Sequence, residues 1–277
     1  MKNENLSENQ VSENRKRRQS FAKIANEKLG ETVMQNCGEV AFIIEYVNAH
    51  DITVQFKATG ELVKTEYKTF VRGEVKSHFT PSVYGIGITG LETIVDDNGE
   101  VLDSYKCWKG MLQRCYSAKF QEKQPTYKGC TVCDDWIYYP NFKNWYDNNY
   151  YEINNKTSQL DKDILIKGNK VYSPDTCVFV PKFINTLFIK CQKTRGDSPI
   201  GMSYNKANKN YKAHLSVFTN GKSVKKYLGS FDTTNEAFEV YKKAKEEYIK
   251  EIADEYKDKI PTELYEAMYS YKVDIDD

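Results

Sequence analysis

The residues of this chain best suited to chemistry lie between Leu160 and Asn185, in LDKDILIKGNKVYSPDTCVFVPKFIN. Two short apolar runs, Ile164 to Ile166 and Cys177 to Val180, flank a Lys-Gly-Asn turn and a Tyr-Ser-Pro segment. A Pro181-led stretch with Phe183, Ile184, Leu187 and Phe188 at helical spacing follows, so the pattern predicts strand, loop, strand, helix. In such a ββα unit the carboxylate of Asp161 and the amide of Asn185 face each other across a small cleft. Hard oxygen donors of this kind suit Mg²⁺. A hydrogen-bonded brace of the turn, with no metal, uses the same two side chains equally well.

A second concentration of functional side chains lies further on. Between Gly201 and Phe231 there are six lysines (206, 209, 212, 222, 225 and 226) and no Asp or Glu, a local basic patch hidden by the net charge of +1. Strand alternation directs Ala213, Leu215 and Val217 inward and Lys212, His214, Ser216 and Phe218 outward, with Lys225 and Tyr227 beside them. With Lys206 and Lys209 they form a candidate surface for double-stranded DNA. Lysines position the phosphate backbone, whereas His214, Ser216 and Tyr227 have groups able to read base edges. The competing reading is a solvated, lysine-rich hairpin.

The elements that must carry these residues follow from composition and pattern. In 277 residues, 40% hydrophobic and 29% charged, two or three small soluble domains are expected. No apolar run is long enough for a membrane span, and the polar N-terminus lacks the apolar core of a signal peptide, so a cytoplasmic location is expected. Seven scattered cysteines fit reduced core thiols better than disulfides; Cys130 and Cys133 form a CxxC with no second pair at zinc-site spacing.

The overall expectation is an α+β chain. Residues 1–28 read as a flexible arm with one basic cluster, Arg15-Lys16-Arg17-Arg18, and at most a marginal helix near Phe21 to Lys28. Residues 29–80 show alternating runs at Ala41 to Val47, Ile52 to Phe56, Val63 to Tyr67 and Phe70 to Val75, a pattern for a small β-barrel or twisted meander of the size of SH3-like modules. Residues 81–195 hold the ββα unit, preceded by the glycines at 85, 87 and 90, which mark tight turns rather than a phosphate loop. A helix over Asp103 to Ser117 carries Tyr105, Trp108, Met111, Leu112 and Cys115 on one face, and the aromatics between Cys130 and Tyr151 supply core. Residues 196–277 give three strands, with a hairpin turn at Thr219-Asn220-Gly221. A long helix follows, opened by a Thr233/Glu236 capping box, and Thr262 caps a short last helix.

The ordered motifs Trp108-x-x-Met111-x-x-Arg114-Cys115, Val132-Cys133-Asp134-x-Trp136, Leu160-Asp161-Lys162-Asp163 and Gly168-Asn169-x-x-Tyr172-x-Pro174-x-x-Cys177 resemble those of phage HNH (His-Me finger) endonuclease-like proteins, over about residues 105–190. The resemblance implies Asp161 as metal ligand, Asn185 as helix ligand, and Lys162 at the place of the catalytic histidine. The segment IGMSYNK through YLGSFDTTNEAFEVYKKA resembles an Apetala-two DNA-binding domain, a three-stranded sheet that lies in the major groove with a helix behind it.

Two departures stand out. Lys162 occupies the base position and Thr176 that of the middle Asn, and His50, His78 and His214 all lie outside the motif. Lysine in ordinary surroundings has a pKa near 10.4 and pairs with phosphate rather than taking a proton from water. The implied functions are a metal-dependent DNA endonuclease of phages or mobile elements, or a non-cutting DNA-binding regulator. A counter-defence protein acting on a host complex is a further form of the second. Each would work inside a bacterial host cell.

Overall fold

The computed structural model describes residues 8–189, 199–219 and 222–275. They form an α+β structure in two compact units, Met1–Thr126 with Asp134–Asn144, and Tyr127–Cys133 with Trp145–Asp277.

In the first unit β1 (Thr32–Met34), β2 (Val40–Asn48), β3 (Asp51–Phe56) and β4 (Leu62–Thr65) make an antiparallel sheet in that order. Alternation buries Ala41 and Ile43 on β2 with Ile52, Val54 and Phe56 on β3. Of the barrel and the meander that the pattern allows, the barrel does not form and the strands make a meander: β1 and β4 are opposite edges of an open sheet, and neither is longer than four residues. The strand expected near Phe70 is also absent, because the chain after β4 turns into a short helix, α2 (Tyr67–Val71), that buries Phe70. A side-chain amide ties this segment down instead of a ladder. Buried Gln35 donates to the carbonyls of Val33 and Phe70 (both 3.2 Å) and accepts from the Val75 N–H (3.0 Å).

The N-terminal arm is helical as well, as α1 (Glu8–Lys28), with Arg15, Lys16 and Arg17 exposed along it. Its sequence is rich in Glu, Lys, Gln and Arg, all good helix formers. Its last residue is fixed by tertiary contacts that no local pattern reveals: Lys28 donates to Glu31 (3.1 Å) and to the Tyr67 hydroxyl, which itself donates to Glu31 (3.0 Å). Helix α3 (Asp103–Tyr116) buries Trp108, Met111, Leu112 and Cys115, as its spacing predicts. The Trp108 indole N–H donates to the Trp136 carbonyl (2.7 Å). Gly87 lies against this helix so closely that a Cβ there would come within 2.4 Å of Leu112 Cδ1. Close packing, not phosphate binding, accounts for that glycine.

The second unit holds a ββα segment, here called the finger, over residues 158–188. Its short strands are β5 (Thr131–Val132), parallel to β7 (Val171–Tyr172), and β6 (Ser158–Asp161), antiparallel to β8 (Val178–Pro181). After α4 (Ala118–Lys123), α5 (Asp134–Ile137) and α6 (Tyr139–Asn149) earlier in the chain, the one-turn helix α7 (Lys182–Asn185) follows β8, continued by a 3₁₀ turn over Thr186–Phe188. The first strand thus precedes the apolar run Ile164 to Ile166, which is loop: Ile164 is buried there while Ile166 is exposed. Trp145 stacks on Phe179 of β8, and Tyr146 and Tyr150 meet the same ring edge-on.

The C-terminal sheet has the order β11-β10-β9, from β9 (Met202–Asn205), β10 (Asn210–Thr219) and β11 (Lys222–Phe231). The expected turn residues Asn220 and Gly221 lie outside the described residues. Helix α8 (Thr234–Tyr256) covers one face of the sheet and begins with the capping box of Thr233 and Glu236. Helix α9 (Thr262–Ser270) starts after Pro261, so Thr262 is its first residue and not its cap. Val178, Val180 and Ile184 of the finger share one core with Met202, Ala213 and Leu215 of the sheet and Tyr241, Ile249 and Ala253 of α8.

Gly201 sets the entry to β9. Its φ is +75°, and a Cβ would sit 2.1 Å from the Tyr241 ring. Gly201→Ala combines a left-handed backbone strain of about 1–2 kcal/mol with overpacking of about 1–3 kcal/mol. Urea unfolding should register a loss of about 2–5 kcal/mol; a change within ±0.5 kcal/mol would remove the Tyr241 contact from this account.

Candidate functional site

Two surfaces hold the residues singled out by type and spacing. In the finger, Asp161 at the end of β6 and Asn185 at the end of α7 do line one cleft, of about 260 Å³, together with Asp163 and Lys167. Asp161 Oδ1 accepts the backbone N–H groups of Asp163 (2.9 Å) and Ile164 (2.8 Å), so the carboxylate closes the turn that ends the strand. Asn185 Nδ2 donates to Gln159 Oε1 (3.0 Å) on the same strand. Both residues therefore act as braces. Burial raises the pKa of Asp161, and the neighbouring Asp163 raises it further, while the two backbone donors oppose both.

Lys162 does not line that cleft. It is 6% exposed, and its Nζ donates to Asp163 (3.0 Å) and to the Asn169 carbonyl (2.9 Å). Asn169 returns the contact: its amide donates to the Lys162 carbonyl (2.6 Å) and to that of Val171 (2.7 Å). The Gly-Asn turn and the strand end are thus locked through a reciprocal pair. Thr176 donates to the Val171 carbonyl (2.7 Å) and bonds with the Ser173 hydroxyl (2.9 Å). Sequence reasoning gave Lys162 a chemical role and overlooked Asn169, although an Asn directly after a Gly in a loop is itself a signal for such a brace.

The oxygen donors on the walls of the cleft are the carboxylates of Asp161 and Asp163 and the amide of Asn185, of which Asp161 and Asn185 are the expected pair. Among the described residues no three His, Cys, Asp or Glu side chains group as a metal cage. One carboxylate and one amide suit Mg²⁺, which keeps several waters and takes few protein ligands. Cys130 is buried and Cys133 half-buried.

The second surface is the face of the β10–β11 ribbon turned away from α8. Register places His214 opposite Tyr227, Ser216 opposite Lys225 and Lys212 opposite Ser230. The buried neighbours Ala213 and Leu215 point the other way, so Lys212, His214, Ser216, Lys225 and Tyr227 share one face. The rings of His214 and Tyr227 lie 5.5 Å apart, and the Tyr227 hydroxyl bonds with Ser230 (2.7 Å). Tyr227 is 56% exposed. Lys206 and Lys209 stand apart from this group, exposed on the β9–β10 turn. Partial burial lowers the pKa of His214, and Lys225 and Lys212 lower it further.

No family model matches the chain, and no curated protein and no solved structure shows significant similarity to it.

The lock on Lys162 is testable by removal. Lys162→Met leaves the part-buried Asn169 carbonyl without its donor, and an unsatisfied group of this kind costs about 1–3 kcal/mol. Equilibrium unfolding is expected to register that loss; a value below about 0.5 kcal/mol would mean the amine makes no such bonds.

Proposed function

We propose that the chain is a double-stranded DNA-binding protein whose C-terminal sheet enters the major groove and whose HNH-like finger serves as a braced support. The observation that carries this reading is the outward face of β10 and β11, where Lys212, His214, Ser216, Lys225 and Tyr227 stand together over an acid-free stretch of sequence. Each strand is ten residues long, about 34 Å at 3.4 Å per residue. A two-stranded ribbon is one of the two elements that the major groove admits. The lysines would hold phosphates and fix register, and the imidazole, hydroxyl and phenol would meet base edges.

A second reading, metal-dependent strand cleavage, is favoured by the shared cleft of Asp161 and Asn185. Those two residues would hold the ion, which when bound polarises a phosphoryl oxygen. Lys162, whose amine bonds to Asp163 and Asn169, is not placed to act as a base for it. DNA binding without cleavage is therefore the preferred reading. A phage or mobile-element origin, a bacterial cytoplasmic setting and a protein partner from host defence remain attached to it as proposals. Among the described residues no helix is long and apolar enough to cross a membrane.

Binding to duplex DNA should fall steeply with salt. Replacing both Lys212 and Lys225 with Ala should flatten the slope of log K against log salt by about two. An unchanged slope would remove the sheet from the interface. Supercoiled plasmid in Mg²⁺ or Mn²⁺ should stay intact; nicking that is lost in Asp161→Asn would establish the second reading instead.

The histidine gives a pH signature. Its pKa is depressed below 6.5 in the folded chain, so the folded state binds fewer protons and His214 contributes a loss of stability as pH falls through 6.5. DNA phosphates oppose that depression. Affinity measured by fluorescence anisotropy should rise as pH is lowered from about 7 to about 5.5, and His214→Gln should remove most of the rise. Equal pH dependence in the two proteins would rule out His214 at the interface.

A further inference from the structure

At the edge of β10 the third strand stops short. β9 pairs with Asn210 to Ala213, so that among the described residues the half of β10 from His214 onward has no strand neighbour on that side. The His214 N–H reaches the Gly201 carbonyl (2.8 Å), and the Phe218 N–H is taken by the Tyr248 hydroxyl of α8 (2.8 Å). By the two-residue period of a strand, the Ser216 N–H between them points to the same edge. A pocket of about 320 Å³ opens there. His214, Ser216 and Lys225 line it from the sheet and Lys245 from α8, over an apolar floor that includes Met202 and Tyr241. Among the described residues no Asp or Glu lines it.

Lys245 is the unexplained group. It is half-buried, and among the described residues its ammonium has no hydrogen bond and no ion pair. Burial alone pushes its pKa down to about 8. A cation held in such a place without a counter-charge costs stability unless an anion joins it. Two lysines, a hydroxyl, an imidazole and an edge N–H converge on one volume, and donors of this number and sign suit the oxygens of a phosphate group.

We propose that this edge pocket is a phosphate-binding site, with Lys245 and Lys225 as its cationic walls and Ser216 as its neutral donor. The phosphate has two sources of the same chemistry: a backbone phosphate of duplex DNA lying along the sheet, or the phosphate of a small molecule. The pocket's affinity for phosphate does not depend on whether the sheet binds DNA.

The chain has three histidines, His50, His78 and His214, and only the last lines the pocket, so ring resonances give a site-specific readout. The full chain with labelled histidine is titrated with inorganic phosphate at constant ionic strength, using chloride as the control. Phosphate should move the His214 signals, leave those of His50 and His78 in place, and raise the His214 pKa by about one unit. Lys245→Met should weaken the response about tenfold or more, and Lys245→Arg should keep it. A thermal melt of each variant checks that it folds. No response specific to His214, or the same response in Lys245→Met, overturns the proposal; if Lys245→Met unfolds, Ser216→Ala and Lys225→Met are read in its place by the same criterion. In the duplex arm, phosphate that competes with DNA in the wild type but not in Lys245→Met assigns the site to a backbone phosphate. Duplex affinity that ignores both phosphate and Lys245→Met, with the His214 response intact, assigns it to a small phosphorylated ligand. Failure of duplex binding alongside an intact His214 response would sink the DNA reading and leave the pocket standing.

Discussion

The second unit depends on the burial of one helix face. Ala237, Tyr241, Tyr248, Ile249 and Ala253 of α8 are all buried, in the core that contains Ala213 and Leu215 of the sheet and Val178, Val180 and Ile184 of the finger. Neither the finger nor the sheet is large enough to hide its own apolar surface, because a small element exposes too much area relative to what it encloses. The helix supplies the missing wall for both. Its position then decides where Tyr248 meets the edge of β10 and where Lys245 meets the open pocket.

Within that frame the polar groups of the finger are held in closed pairs. Asp161 satisfies two backbone donors, Asn185 engages Gln159, and Lys162 and Asn169 exchange bonds across the loop. Such mutual satisfaction makes the loop specific in shape and leaves few groups free to move protons. The outer face of the sheet differs in kind. Its polar side chains are mostly solvent-facing, and Lys212 and Lys225 carry positive charge among them, an arrangement suited to a ligand that brings its own negative charge.

Much of this organisation was legible in the residues. The helix over Asp103–Tyr116, the three C-terminal strands and the Thr233 capping box follow from periodicity and local chemistry, and the outward set on β10 and β11 follows from alternation. What was not legible depends on contacts distant in sequence. Closure of the N-terminal strands into a barrel required β1 to reach β4, and their shortness outweighed a pattern that looked continuous. The helix at Glu8–Lys28 is anchored by Tyr67, and Gln35 reaches Phe70 and Val75. In the finger, the sequence places Asp161 and Asn185 in one cleft but is silent on the direction of the Lys162 amine, which burial settles. Lys245 was invisible for a related reason: on a helix rich in lysine, only the packed structure distinguishes the one beside a pocket.

The common core has a consequence for how such a chain changes over generations. Finger and sheet look like separable cassettes in sequence, yet Val178, Val180 and Ile184 lie in the same hydrophobic cluster as the inner face of β10 and the stripe of α8. An exchange of the sheet alone, by recombination in the segment between them, would present the finger with an unfamiliar apolar surface. Viable crossovers would have to carry the finger, the sheet and α8 together, or else be followed by compensating changes along that helix. The outer face of the ribbon is under no such constraint, because side chains there can change by point substitution without disturbing the wall that finger and sheet share.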